Sequence, residues 1–132
     1  MIESLRLETL DGEWTIARLA ADDAVPSWAW CNLFSSVSRT SEGLSIIAPS
    51  GQVPGDVKCE RGFRVLVVGG PLSFDAKGIL ADLTGAVAEA DVALLALSNF
   101  DTDILLVRQE DLEAATAALL SRGHEVVGQQ PR

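Results

Sequence analysis

The stretch Ala93–Val107, ALLALSNFDTDILLV, decides how this chain reads. Two aliphatic runs, Val92–Leu97 and Ile104–Val107, flank a polar tip, Ser98-Asn99-Phe100-Asp101-Thr102-Asp103. Short aliphatic runs bounded by turn-formers are strand signals, so the stretch predicts a β-hairpin with two carboxylates on its tip. Val92–Leu97 is apolar at successive positions instead of alternating. Such a strand must be covered on both faces or paired along its edge.

Working outward, Phe63–Val68 reads as a strand stopped by Gly69-Gly70-Pro71. Asp75–Glu89 reads as a helix, because Ile79, Leu80, Leu83, Val87 and Ala90 recur at helical spacing, with Asp75 as N-cap or first-turn anion. Beyond the hairpin, Gln109–Arg122 is a second helix with Leu112, Ala115, Leu119 and Leu120 inward and Glu110 and Asp111 in an acidic first turn. Arg122-Gly123 closes it, and His124–Val127 is a last short strand. The order is β-α-β-β-α-β, the split βαβ arrangement, with Val92–Leu97 at a sheet edge. An edge this apolar predicts association, with a second copy or with the chain's own N-terminal half.

The first half has a different character. Leu5–Leu10 and Trp14–Leu19 read as a hairpin across Asp11-Gly12, a strong turn signal. Pro26–Trp30 suggests one helical turn, with Trp28 and Trp30 as a lid over the core. Asn32–Thr40 and Leu44–Pro49 form a second strand pair, and the turn-rich stretch from Ser50 to Glu60 reads as a linker. The expected division is therefore a reduced unit over 1–60 and a fuller one over 61–132.

Composition narrows the function classes. Of 132 residues, 48% are hydrophobic, which argues for a folded chain and against disorder. No apolar run approaches the roughly 20 residues of a membrane span, so no membrane association is expected. The start, MIESLRLETLDGEW, lacks a basic segment followed by an apolar core, so no signal peptide is expected. Cys31 and Cys59 form no C-x-x-C and fit a reducing cytoplasm. With a net charge of −9 and scattered cations, nucleic acid is not an expected partner. The acidity would weakly favour a ligand carrying a positive group.

Few residues point to chemistry. There is no nucleophile elbow, Walker loop or metal-ligand cluster, so neither an enzyme nor a metal or cofactor is expected. Gly78, early in the first helix, either lets a ligand approach the helix N–H groups or is simply tolerated there. Asp101 and Asp103 flank Thr102, and alternation sends both to one side. Either one pairs with a ligand cation or both serve the turn. His124, the only histidine, sits at a helix exit, where capping carbonyls is the ordinary role.

At Asp75-Ala76-Lys77-Gly78-Ile79-Leu80 the chain resembles the ACT domain, whose signature at this strand–helix junction is D-x-P-G-[IVL]-L; Lys77 stands where the signature has proline. The longer pair GGPLSFDAKGILADL and ALSNFDTDILLV is similar to the ACT domains of the CASTOR-type arginine sensors and their small bacterial relatives. The resemblance covers about Phe63–Leu120 and is weaker over Leu5–Pro49. It implies an α+β protein of tandem ACT-like, ferredoxin-like βαββαβ units, the N-terminal one reduced. It also implies regulatory amino-acid binding without catalysis, at an interface between ACT units; the alternative is a protein–protein interaction module without a small ligand. The apolar edge Val92–Leu97 itself predicts a homodimer that joins the C-terminal units side by side. Carried over by motif position, Ser73, Phe74, Asp75, Gly78 and Ile79 line one side of the site. Ser98, Asn99, Phe100 and Asp103 line the other, and Asp103 takes the position whose carboxylate meets the ligand in the arginine sensor. That sensor has Asn and Phe where this chain has Asp101 and Thr102, so arginine itself is not implied.

Overall fold

A computed structural model describes residues 4–69 and 78–128. Its elements in order are β1 (Arg6–Thr9), β2 (Trp14–Leu19), β3 (Ser36–Thr40), β4 (Gly43–Pro49), β5 (Lys58–Val68), α1 (Ile79–Glu89), β6 (Leu94–Ser98), β7 (Asp103–Arg108), α2 (Leu112–Ser121) and β8 (Glu125–Gly128). The chain divides into two compact units, one of residues 12–63 and one of 1–11 with 64–132.

In the unit of residues 12–63, β4 lies between β3 and β2, and β2 pairs in turn with the first part of β5, all antiparallel. Alternation along β2 and β4 sends Ala17, Leu44, Ile46 and Ala48 into one apolar cluster with Ala29 and Val53. Trp28 packs against this cluster, whereas Trp30 is 59% exposed, so only the first of the two tryptophans covers the core. Trp14 is buried, and its indole N–H is satisfied by the Phe34 carbonyl at 2.9 Å. The turn-rich stretch after β4 is pinned by side chains. Glu13 accepts from the Ser50 hydroxyl at 3.0 Å and the Gly62 N–H at 3.1 Å, and Arg61 donates to the carbonyls of Ser50, Val53 and Pro54. The expected linker ends early, because Lys58–Glu60 already belong to β5.

The other unit departs from expectation at β1. No hairpin joins it to β2. It pairs antiparallel with β5, Leu7 opposite Val68, and parallel with β8, Leu7 opposite Val126. Gly12 does adopt positive φ, +101°, so the Asp11-Gly12 signal marks a real change of direction but not a two-strand turn. Burial explains the choice. Leu7 is fully buried in the cluster that includes Leu66, Val68, Leu83, Val87, Leu105, Val107 and Leu119. The gain from that burial, about 1.5–3 kcal/mol for one leucine, outweighs a local turn preference.

The pairings of this unit connect β6–β7–β5–β1–β8, and α1 and α2 lie on the sheet face that carries Leu66, Leu105 and Val107. This is the α+β, ferredoxin-like arrangement, with β1 as an added strand between β5 and β8. On α1 the stripe Ile79, Leu80, Leu83, Val87 and Ala90 meets the core as its spacing predicts. On α2, Leu112, Ala115 and Leu119 do so, but Leu120 is 51% exposed. Both helices end alike. Beyond α2 the N–H of Gly123 bonds the Leu120 carbonyl and that of His124 bonds Leu119; beyond α1, Asp91 and Val92 bond Ala88 and Val87. These are Schellman closures, and each needs a left-handed residue: Gly123 at φ +90° and Asp91 at +62°.

Candidate functional site

The β6–β7 hairpin forms with Ser98 opposite Asp103 as its last pair, and the Asn99 N–H bonds the Thr102 carbonyl at 2.8 Å to close the tip. The Ser98 hydroxyl donates to Asp103 Oδ1 at 2.7 Å. Cross-strand register thus supplies Asp103 with a local partner. With its proton committed to Asp103, Ser98 turns only lone pairs outward, so the pair is an acceptor surface with a negative charge. Alternation places Ser98 and Asp103 on the face of Leu105 and Val107, where the helices lie. Phe100 is 76% exposed at the tip, beside exposed Asn99 and Asp101.

On the opposite side of the expected site, Ser73, Phe74 and Asp75 lie outside the described residues. Gly78 is described and corrects two expectations. The helix starts at Ile79 with Gly78, not Asp75, as its N-cap, and Gly78 adopts φ +80°, ψ −2°. Its conformation is left-handed, so glycine is required by the backbone and is not merely tolerated inside a helix. Gly78 is exposed and has no side chain with which to cap α1, while its carbonyl accepts the Asp82 N–H at 2.9 Å. The opening N–H groups of α1 therefore receive no capping side chain from it. Ile79 packs against the core cluster, so it supports the helix start from beneath. The structure brings Ser98, Asn99, Phe100 and Asp103 together on one hairpin end and Gly78 and Ile79 together at the helix start.

Sequence reasoning missed a polar network behind α1. His124 is buried, its Nε2 lies 2.7 Å from Asp82 Oδ2, and Arg122 bridges Asp82 and Glu89 at 2.9 Å each. The hydrogen bond from His124, then the nearby Arg122 guanidinium, hold the Asp82 carboxyl below its ordinary value. A lowered carboxylate pKa contributes stability above the unfolded value that is lost as pH falls through the folded one. His124 therefore does not cap carbonyls with its side chain. No local motif signals these contacts, because the partners are about forty positions apart. Among the described residues there is no group of three or more His, Cys, Asp or Glu arranged to hold a metal ion.

Comparison with known proteins bears on these features. The family model for the ACT domain matches residues 58–121, and a second model, for an N-terminal domain, matches residues 12–56. No curated protein matches the chain. A crystal structure of an Agobacterium tumefaciens protein is similar over 99% of this chain and 98% of that one, at 33% identity and a TM-score of 0.92. A Vibrio cholerae protein, described as a possible transport protein, aligns over 89% of each chain at 16% identity and a TM-score of 0.71. Aspartate kinase from Clostridium acetobutylicum shares the fold over 91% of this chain and 35% of its own, at 11% identity and a TM-score of 0.67.

Proposed function

Because this chain belongs to the ACT-domain proteins, we propose that it is a regulatory sensor that binds a free amino acid or a similar zwitterion. The observation that carries the reading is the Ser98–Asp103 pair, an acceptor-only, negatively charged rim on the helix-bearing face. A rim of that kind suits an ammonium or guanidinium. The start of α1, where Gly78 supplies no capping side chain, offers N–H donors and the positive end of the helix dipole to a carboxylate. Ser73, Phe74 and Asp75 complete the loop side in this reading, with Asn99 and Phe100 on the hairpin side. The role is regulatory, not catalytic. Cys31 and Cys59 are free, which fits a cytoplasmic protein. A thermal-shift screen with single amino acids tests the proposal. Ligand at a hundred times its Kd adds about 2.7 kcal/mol of stability, and a panel with no shift for any amino acid would sink it.

Assembly follows from β6. It pairs with β7 and no other described strand, and Leu95 and Ala96 stay exposed within a single chain. Among the described residues no second strand pairs along β6, so a second copy pairing there would supply the cover. Leu95→Lys should weaken self-association at least about tenfold by placing a charge on that surface. Sedimentation of the native chain as a 14.0 kDa monomer at high micromolar concentration would remove the dimer from the proposal.

A further inference from the structure

We propose that His124 is a proton-operated latch on the start of β1. Both ring nitrogens are engaged: Nδ1 accepts the Leu5 N–H at 3.1 Å, and Nε2 lies 2.7 Å from Asp82 Oδ2. A backbone N–H is always a donor, so Nδ1 must be the unprotonated nitrogen, and the ring proton sits on Nε2 and is donated to Asp82. A second proton has only Nδ1 to occupy, and there it would meet the Leu5 N–H donor to donor. Protonation exchanges a backbone hydrogen bond for a stronger ion pair with Asp82. The ring stays where it is, and the Leu5 N–H is let go.

Leu5 is the residue that leads into β1. Its carbonyl accepts the Glu125 N–H at 2.8 Å, and the Ser4 hydroxyl donates to the Gly123 carbonyl at 2.7 Å. Among the described residues, the His124 ring is thus the side chain through which the α2–β8 corner holds the backbone N–H that leads into β1. The charged groups around it are identified. From α1 come Asp82 directly and Glu89 through Arg122; Arg122 itself closes α2. Arg6 of β1 and Glu125 of β8 are paired residues that are both exposed. Only Asp82 touches the ring among these, and Arg122 neutralises part of its charge, so the swap at Nδ1 is decided locally.

Amide exchange followed by NMR tests the latch. Over the pH interval in which the chain stays folded, the Leu5 protection factor should fall about tenfold or more as pH is lowered, while that of Val87 in the helix core holds. In His124→Asn, the side-chain oxygen can replace Nδ1 as acceptor but cannot titrate, so Leu5 protection should stay level across that interval. Level protection in the native chain, or the same fall in His124→Asn, overturns the latch. Should that variant not fold, the ring nitrogen shifts of the native chain decide. Nδ1 must gain its proton over the same pH interval in which Leu5 loses protection, and separate intervals refute the proposal.

Discussion

Asp103→Asn is expected to weaken ligand binding by about tenfold to a hundredfold in calorimetry, with little change in folding stability. The magnitude comes from a charge-assisted bond, about 1.5–3 kcal/mol, exchanged for a neutral one. Geometry sharpens the expectation. Ser98 holds Asp103 Oδ1 at 2.7 Å, so an Asn oxygen kept in that bond would turn the amide NH2, a donor, toward a ligand ammonium. Donor would then face donor. Asp101→Asn, on the exposed tip, should change affinity less than about twofold, because exposed charges are solvated and screened. The two variants also identify which end of the ligand is held. Arginine or lysine outcompeting glutamate would place a cationic side chain at Asp103, whereas comparable binding of neutral amino acids would place the α-amino group there. Equal losses in both Asn variants would show that the carboxylate of Asp103 is not the anchor.

Gly78→Val should lower unfolding stability by about 2 kcal/mol, measured as a fall in the urea midpoint at constant slope. Either role that the sequence allows Gly78, ligand approach or simple tolerance in the helix, would let this substitution spare the fold. The left-handed backbone at φ +80° changes that expectation, since a β-branched residue there collides with its own carbonyl. A loss of binding in the Val variant would therefore have two causes, and Gly78→Asn separates them. Asn tolerates the left-handed region, so it should recover most of the stability while still placing a side chain beside the helix start. Weak binding by a stable Asn variant would put the ligand at this junction; full binding would leave Gly78 a purely conformational residue. An unchanged midpoint in the Val variant would mean that the junction relaxes and that glycine is not required.

The sequence by itself determined the parts of this protein that depend on neighbours in the chain. Helical spacing placed Ile79, Leu83 and Val87 on one buried stripe, and Arg122-Gly123 ended α2 because only a left-handed residue closes that turn. The polar tip between two aliphatic runs gave the β6–β7 hairpin and set Asp103 at a strand start. Motif likeness then pointed to the family. What the tertiary structure decided is everything set by pairing at a distance. Asp11-Gly12 promised a hairpin, but β1 went to β5 and β8, because Leu7 finds a full apolar core there and a local turn offers only a small preference. Ser98 became the partner of Asp103 through strand register, and His124 met Asp82 and Leu5 through the docking of α1 and β1 against the α2–β8 corner. Propensity acts over a few residues, whereas burial and register act between segments that only the folded chain brings together.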